Sequence, residues 1–240
     1  MGALSPVEAI KTSWIPYSFT LSIFFISGFY FVGMTVQKFG IGLATLMQKM
    51  SLVISVAYMM VIFGESVTTL KMIGILLAII SILLYNNRAL AKDHKSSELW
   101  LLPLLTWVIS GIIEVLLFLG QHTGNVGDDQ SSFVTMIFFG AFIIGITSHL
   151  IKNGFAGLEK RKNWTAGIVL GVPNFFSMYF LVKALNIGWE GSVVFPINNI
   201  GVLILSSIVA LLVFQEKINT LRWIGLTMAV AAIVLLTSLN

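Results

Sequence analysis

Three ionisable side chains, Lys49, Glu114 and Lys183, lie inside long apolar runs of this sequence, and the run 193–204, VVFPINNIGVLI, adds Pro196 and the adjacent amides Asn198 and Asn199. Burying an amide or a charge in hydrocarbon without partners is costly, so such groups mark a cavity, a partner or a structural cross-link. Glu114 can bind a cationic or amine group or carry a coupling proton. The alternative is a carboxyl that is neutral or paired structurally, with the amides cross-linking helices. Lys49 can meet an anionic substrate group or neutralise a carboxylate across a cavity. Lys183 is close enough to a helix end to snorkel. In GVPNFFSMY, Pro173 removes a helix hydrogen bond at mid-span, which makes Asn174, Ser177 and Tyr179 further substrate-binding candidates beside Gln48 and Tyr30, with a plain packing kink as the simpler reading.

The elements that hold these groups follow from composition. The 240 residues are 57% apolar and 10% charged, with mean hydropathy +0.96, against about 25% charged in soluble domains. Stretches long enough to cross a bilayer, about 17–25 residues each, fall near 16–37, 43–63, 70–85, 100–119, 132–151, 164–185, 192–214 and 221–239. The expected fold class is therefore an all-α integral membrane protein with eight transmembrane helices joined by short loops. No cysteine is present, so disulfides, thiol catalysis and cysteine metal sites are excluded. The first apolar stretch is too long for a signal-peptide core and is read as a retained helix.

Shifting the chain by 151 residues aligns 24–87 with 175–238 without a gap, and 15 of these 64 positions are identical, against roughly 6 expected from biased composition. FGESVTTLKMIGILLAIISILL pairs with FQEKINTLRWIGLTMAVAAIVLL, which sets Glu65 on Glu216, Thr69-Leu70 on Thr220-Leu221 and Gly74 on Gly225. The same offset sends the fourth and fifth spans to positions before Met1. A first repeat of three helices with its linker, 1–98, and a second of five, 99–240, are expected. Glu65 and Glu216 each precede a helix start, where a carboxylate suits the helix dipole.

Lys38, Arg88, Lys92, Lys95, Lys152, Lys160, Arg161, Lys162, Lys217 and Arg222 fall on one side of this arrangement, and only Lys11 and Lys71 on the other. The excess places the first side in the cytoplasm and both termini outside. On that topology Glu114 lies about 20 Å along its helix from the cytoplasmic end and the two asparagines about 10 Å in from the outer end, a shared level. Lys49 falls in the inner half, and the repeat sets Gln48 opposite Asn199. One polar cluster on each side of the midplane is the expectation.

An apolar helix ending in F-x-E, a short linker and T-L-x-x-I-G opening the next helix, occurring twice, resembles the EamA-type drug/metabolite transporter superfamily. The resemblance covers 16–240 and is strongest at 43–87 and 184–238. It implies ten helices in two inverted five-helix halves, of which this chain has the final eight, around a central cavity. It further implies a secondary transporter in the bacterial inner membrane that moves a small metabolite or drug-like solute by alternating access. The family's usual placement of both termini in the cytoplasm differs from the charge count, which is followed here. A truncated, non-transporting membrane protein that needs a partner chain and a lipid-carrier flippase are the alternatives.

Enzyme signatures such as H-E-x-x-H, G-x-S-x-G and a Walker loop are missing, and the chain is expected not to be an enzyme, with no cofactor and no metal. VGDD at 126–129 reads as a solvated turn. The expected partners are a small-molecule substrate and the lipid bilayer, with coupling protons and a homodimer as further options. The net charge of +4 is loop charge and gives no reason to expect nucleic acid.

Overall fold

The computed structural model describes residues 13–86, 100–155, 160–213, 215 and 219–238. Among these, helices account for the regular structure: α1 Ile15–Phe39, α2 Ile41–Met50, α3 Leu52–Val61, α4 Thr69–Tyr85, α5 Leu101–His122, α6 Gln130–Asn153, α7 Arg161–Asn186, α8 Gly191–Leu212 and α9 Thr220–Thr237. The chain continues through Ser51 in helical conformation, so α2 and α3 make one rod, Ile41–Val61. With this rod counted once, seven helices are long and apolar enough to cross a membrane, and α4 is a shorter apolar helix of 17 residues. The protein is a multi-pass, all-α membrane protein. Each helix falls within a few residues of a predicted span. Glu216 and the linker 87–98 lie outside the described residues.

Two compact units form, Met1–Ser27 with Leu116–Gly188 and Gly28–Val115 with Trp189–Asn240. Each draws on residues both before and after 98, because a helix buries its apolar stripe wherever a complementary surface lies.

In the first unit, α6 packs on α7. The Ser22 hydroxyl donates to the Ile137 carbonyl at 3.0 Å, beside Gly140, where a Cβ would come within 2.4 Å of that hydroxyl. The helix Arg161–Asn186 runs through Pro173.

The second unit is built around the pair α4 and α9, its most extensive helix contact. A Cβ on Gly74 would lie 2.8 Å from Leu236, and one on Gly225 would lie 3.0 Å from the Ser81 carbonyl and 3.1 Å from the Tyr85 nitrogen. The start of each helix thus meets the end of the other, an antiparallel crossing in which glycine permits close approach. Both helices open alike. Thr68 accepts from the Lys71 backbone N–H at 3.3 Å and Asn219 from that of Arg222 at 3.0 Å, the N-cap bonds that satisfy donors a helix start leaves unpaired.

Candidate functional site

The central polar cluster of the second unit is assembled by α5. Gly111 lets this helix approach α3 so closely that a Cβ there would lie 2.7 Å from the Ile54 Cβ. Near Ser51 the Ile54 N–H bonds the Ser51 carbonyl at 2.9 Å, so the Met50 carbonyl lacks its usual helical donor. The Trp107 indole N–H supplies one at 3.0 Å, which at membrane depth removes the penalty of an unpaired carbonyl. The Thr35 and Thr106 hydroxyls, 2.8 Å apart, tie α1 to α5. Glu114, three residues after Gly111, shares its helix face.

The Glu114 carboxylate accepts from the Ser55 hydroxyl at 2.6 Å and from the Asn199 amide nitrogen at 3.0 Å. The Asn199 amide oxygen accepts from the Lys49 ammonium at 3.3 Å. This orientation is fixed by chemistry, because only the NH₂ end of the amide can donate to a carboxylate and only its oxygen can accept from an ammonium. Asn199, 4% exposed, therefore links an acid to a base between α5, α8 and the end of α2.

Three of the predicted residues, Glu114, Asn199 and Lys49, thus converge. The predicted separation of Lys49 onto its own level is corrected: its long side chain spans the interval and joins the amide. Asn198 is half-buried and joins none of these bonds. The half-buried Gln48 takes part through its backbone, its carbonyl accepting from the Ser51 hydroxyl at 2.6 Å. Tyr30 is exposed and packs edge-on to Phe31. Asn174, half-buried, and Ser177, exposed, belong to α7 in the other unit, and Lys183 is exposed near the end of that helix. Among the described residues no three His, Cys, Asp or Glu side chains converge as a metal site would need.

A second charged cluster escaped the sequence reading, which treated Lys71 as a loop charge and assigned Glu65 to the dipole of the helix it precedes. Glu65 instead caps α8. Its carboxylate accepts the backbone N–H of Gly191 at 2.7 Å and of Ser192 at 2.9 Å, together with the Ser192 hydroxyl. Lys71, 1% exposed, donates to the Ser66 carbonyl at 2.9 Å and to Glu190, with Glu65 3.8 Å away. Glu190 also accepts from the Ser66 N–H at 3.0 Å and hydroxyl at 2.8 Å. Burial pushes the Glu190 carboxyl up, but the Lys71 ammonium and the two Ser66 donors outweigh it and hold the group below the usual carboxylate range. The signal available in the sequence was the position of Lys71, third in an apolar helix and therefore beside the cap, with acids before both α4 and α8.

No protein-family model matches the sequence. The chain is similar to an uncharacterized protein of Haemophilus influenzae, 28% identical over 225 residues that cover 91% of this chain and 74% of the relative.

Proposed function

We propose that this protein is a secondary transporter of a small polar or amphipathic metabolite, similar to the EamA-type drug/metabolite transporters, and that Lys49, Asn199 and Glu114 form its binding and coupling site. One observation carries the reading: an acid and a base, joined through a single amide, sit within apolar helices where each is costly unless it has work to do. Lys49 and Ser55 belong to the first repeat and Glu114 and Asn199 to the second. A rocking motion between repeats would therefore make or break the Ser55–Glu114 and Lys49–Asn199 bonds. A solute bearing an amine competes for Glu114, and one bearing an anionic group competes for Lys49.

The reciprocal contacts of α4 and α9 support the inverted-repeat reading. Under the 151-residue shift Gly74 maps to Gly225 and Tyr85 to Leu236, so the Gly74–Leu236 and Gly225–Tyr85 approaches exchange with each other, as a two-fold axis requires. The charge count supports a bacterial inner-membrane location with both termini outside. The protein acts without catalysing a chemical conversion.

Uptake and efflux of pooled metabolites in proteoliposomes, across a pH gradient and without one, test this reading. Glu114→Gln keeps the shape of the side chain but replaces one of its two acceptor oxygens with an NH₂ donor and cannot release a proton. It is expected to reduce proton-driven transport at least about tenfold, the equivalent of about 1.4 kcal/mol. Transport by this variant that equals the wild type at every pH refutes the role given to Glu114.

A further inference from the structure

The helix that carries Glu114 grips the α2–α3 rod at more than one point. Trp107, Gly111 and Glu114 fall at i, i+4 and i+7 of α5, on one helix face, and they meet the rod in order. The Trp107 indole donates to the Met50 carbonyl at 3.0 Å, Gly111 lies against Ile54, and Glu114 accepts from Ser55. Between the first of these points and the last, the helical ladder of the rod is interrupted at Ser51. Trp107 thus holds the rod before the break and Glu114 holds it beyond.

The local sequence, MQKMSLVIS, contains neither proline nor glycine, the residues at which helices commonly kink. In α8, whose Gly201 and Val202 align with Met50 and Ser51 under the 151-residue shift, the helix runs through unbroken. The break is held instead by side chains inserted into the ladder. The Ser51 hydroxyl donates to the Gln48 carbonyl at 2.6 Å, and the Trp107 indole to that of Met50. A continuous helix lies close by. The Ile54 N–H, now on the Ser51 carbonyl at 2.9 Å, would return to Met50, and Ser51 would keep the Ser55 N–H that it already holds at 3.2 Å. The Met50 and Ser51 carbonyls are paired in either form, as membrane depth requires. What the continuous form gives up is the side-chain bonds of Trp107 and Ser51.

We propose that Trp107 is a positioning residue for the Lys49, Asn199 and Glu114 site, acting through a hinge at Ser51; this deepens the reading of that site given above. Lys49 lies just before the break and Ser55 just after it. The angle at Ser51 therefore sets whether Lys49 reaches Asn199 while Ser55 reaches Glu114. With the indole bonded, both contacts form. When it lets go, the rod straightens and the two ends of the site lose register. The coupling runs both ways, as linkage requires, so that a solute drawing Glu114 away from Ser55 also loosens Trp107.

Deuterium exchange followed by nuclear magnetic resonance, on the full chain in lipid nanodiscs, tests this without any solute. The chain has six tryptophans, and the indole signal missing from Trp107→Phe is that of Trp107. Ser55→Ala cuts the Glu114 bond about 10 Å along α5 from the indole, and Ser51→Ala removes the other side-chain bond at the break. Each is expected to speed exchange of the Trp107 indole about tenfold and to leave the other indoles as in the wild type. A tryptophan that only fills space would not respond. In the reverse direction, Trp107→Phe should speed exchange of the Asn199 side-chain amide, identified by its loss in Asn199→Ala, by a similar factor. Circular dichroism verifies that each variant is folded. The proposal is overturned if the Trp107 indole keeps its wild-type rate in either serine variant, if all the indoles accelerate together, or if the Asn199 amide ignores Trp107→Phe. A responsive indole in a protein that transports nothing leaves the hinge standing and removes the transporter reading alone. An unresponsive indole in a protein that does transport removes only the hinge.

Discussion

Replacing Lys71 by methionine removes the cation that separates Glu65 from Glu190 and leaves the Ser66 carbonyl without its donor. Breaking a buried ion pair from one side costs about 3–5 kcal/mol. Two features lower the figure here. Glu190 keeps a third of its side chain in solvent, and Glu65 retains three donors from Gly191 and Ser192. A loss of about 2–3 kcal/mol is therefore expected for Lys71→Met. Glu190→Gln keeps an acceptor for Lys71 but loses the charge assistance, a difference of about 1 kcal/mol. The double variant should be no less stable than Lys71→Met alone, since the charge Glu190 serves is already gone. Acid gives a second readout. The Glu190 carboxyl is depressed in the folded protein, so its contribution is complete above the unfolded carboxylate value of about 4.3 and disappears as pH falls through the lower folded value. Unfolding in sodium dodecyl sulfate, followed by tryptophan fluorescence or circular dichroism at neutral and acidic pH, measures both effects. Strict additivity of the two substitutions, or an acid sensitivity that Glu190→Gln leaves unreduced, would refute the ionic latch.

Gly111→Ala should destabilise by about 1–3 kcal/mol through overpacking against Ile54, while Gly201→Ala, with open space at its Cβ, should stay within about 0.5 kcal/mol of the parent in the same unfolding assay. Gly74→Leu and Gly225→Leu should lower stability together and by similar amounts, because each blocks one end of the α4 and α9 crossing; harm from only one of them would argue against a reciprocal contact. Trp107→Phe leaves the Met50 carbonyl without its indole donor and should cost about 1–3 kcal/mol, seen as a lower unfolding midpoint.

Helix positions were legible because runs of apolar residues of spanning length leave little freedom in what they form. Glu114, Lys49 and Asn199 were legible as a set because ionisable and amide groups stand out against hydrocarbon. The choice between the adjacent asparagines was not. Neighbouring residues point about 100° apart on a helix, and only packing decides that Asn199 meets Glu114 while Asn198 does not. Ser55 gave no signal either, since a membrane serine can satisfy itself on its own helix, as Ser206 does. Lys71 was hidden by distance along the chain. Its partner Glu190 lies 119 residues away, and hydropathy counts a lysine near a helix end as solvated whether or not an acid covers it.

The matched positions divide by role. Those that shape the α4 and α9 crossing stay alike under the 151-residue shift: Thr69 and Thr220, Gly74 and Gly225, Ala78 and Ala229. Charged positions are kept less evenly: Glu65 matches Glu216 and Lys71 matches Arg222, but Lys49 is set against Ile200 and Glu190 against Phe39. Packing against an equivalent surface constrains both copies equally, since a Cβ in either glycine's place would collide with the partner helix. Charge is under no such constraint. Lys71 donates to Glu190, and its counterpart Arg222 lies over the Tyr85 ring at 5.2 Å, a cation–π contact worth about 0.5–2 kcal/mol. If the two parts of the chain rock, Glu190→Gln, which weakens the contact of Lys71 with Glu190, should shift their resting preference without altering the Lys49, Asn199 and Glu114 cluster. Single-cysteine labelling of the cysteine-free chain from either side of the membrane measures the shift, and labelling that is identical with and without Glu190 would show that the latch does not govern which end is closed.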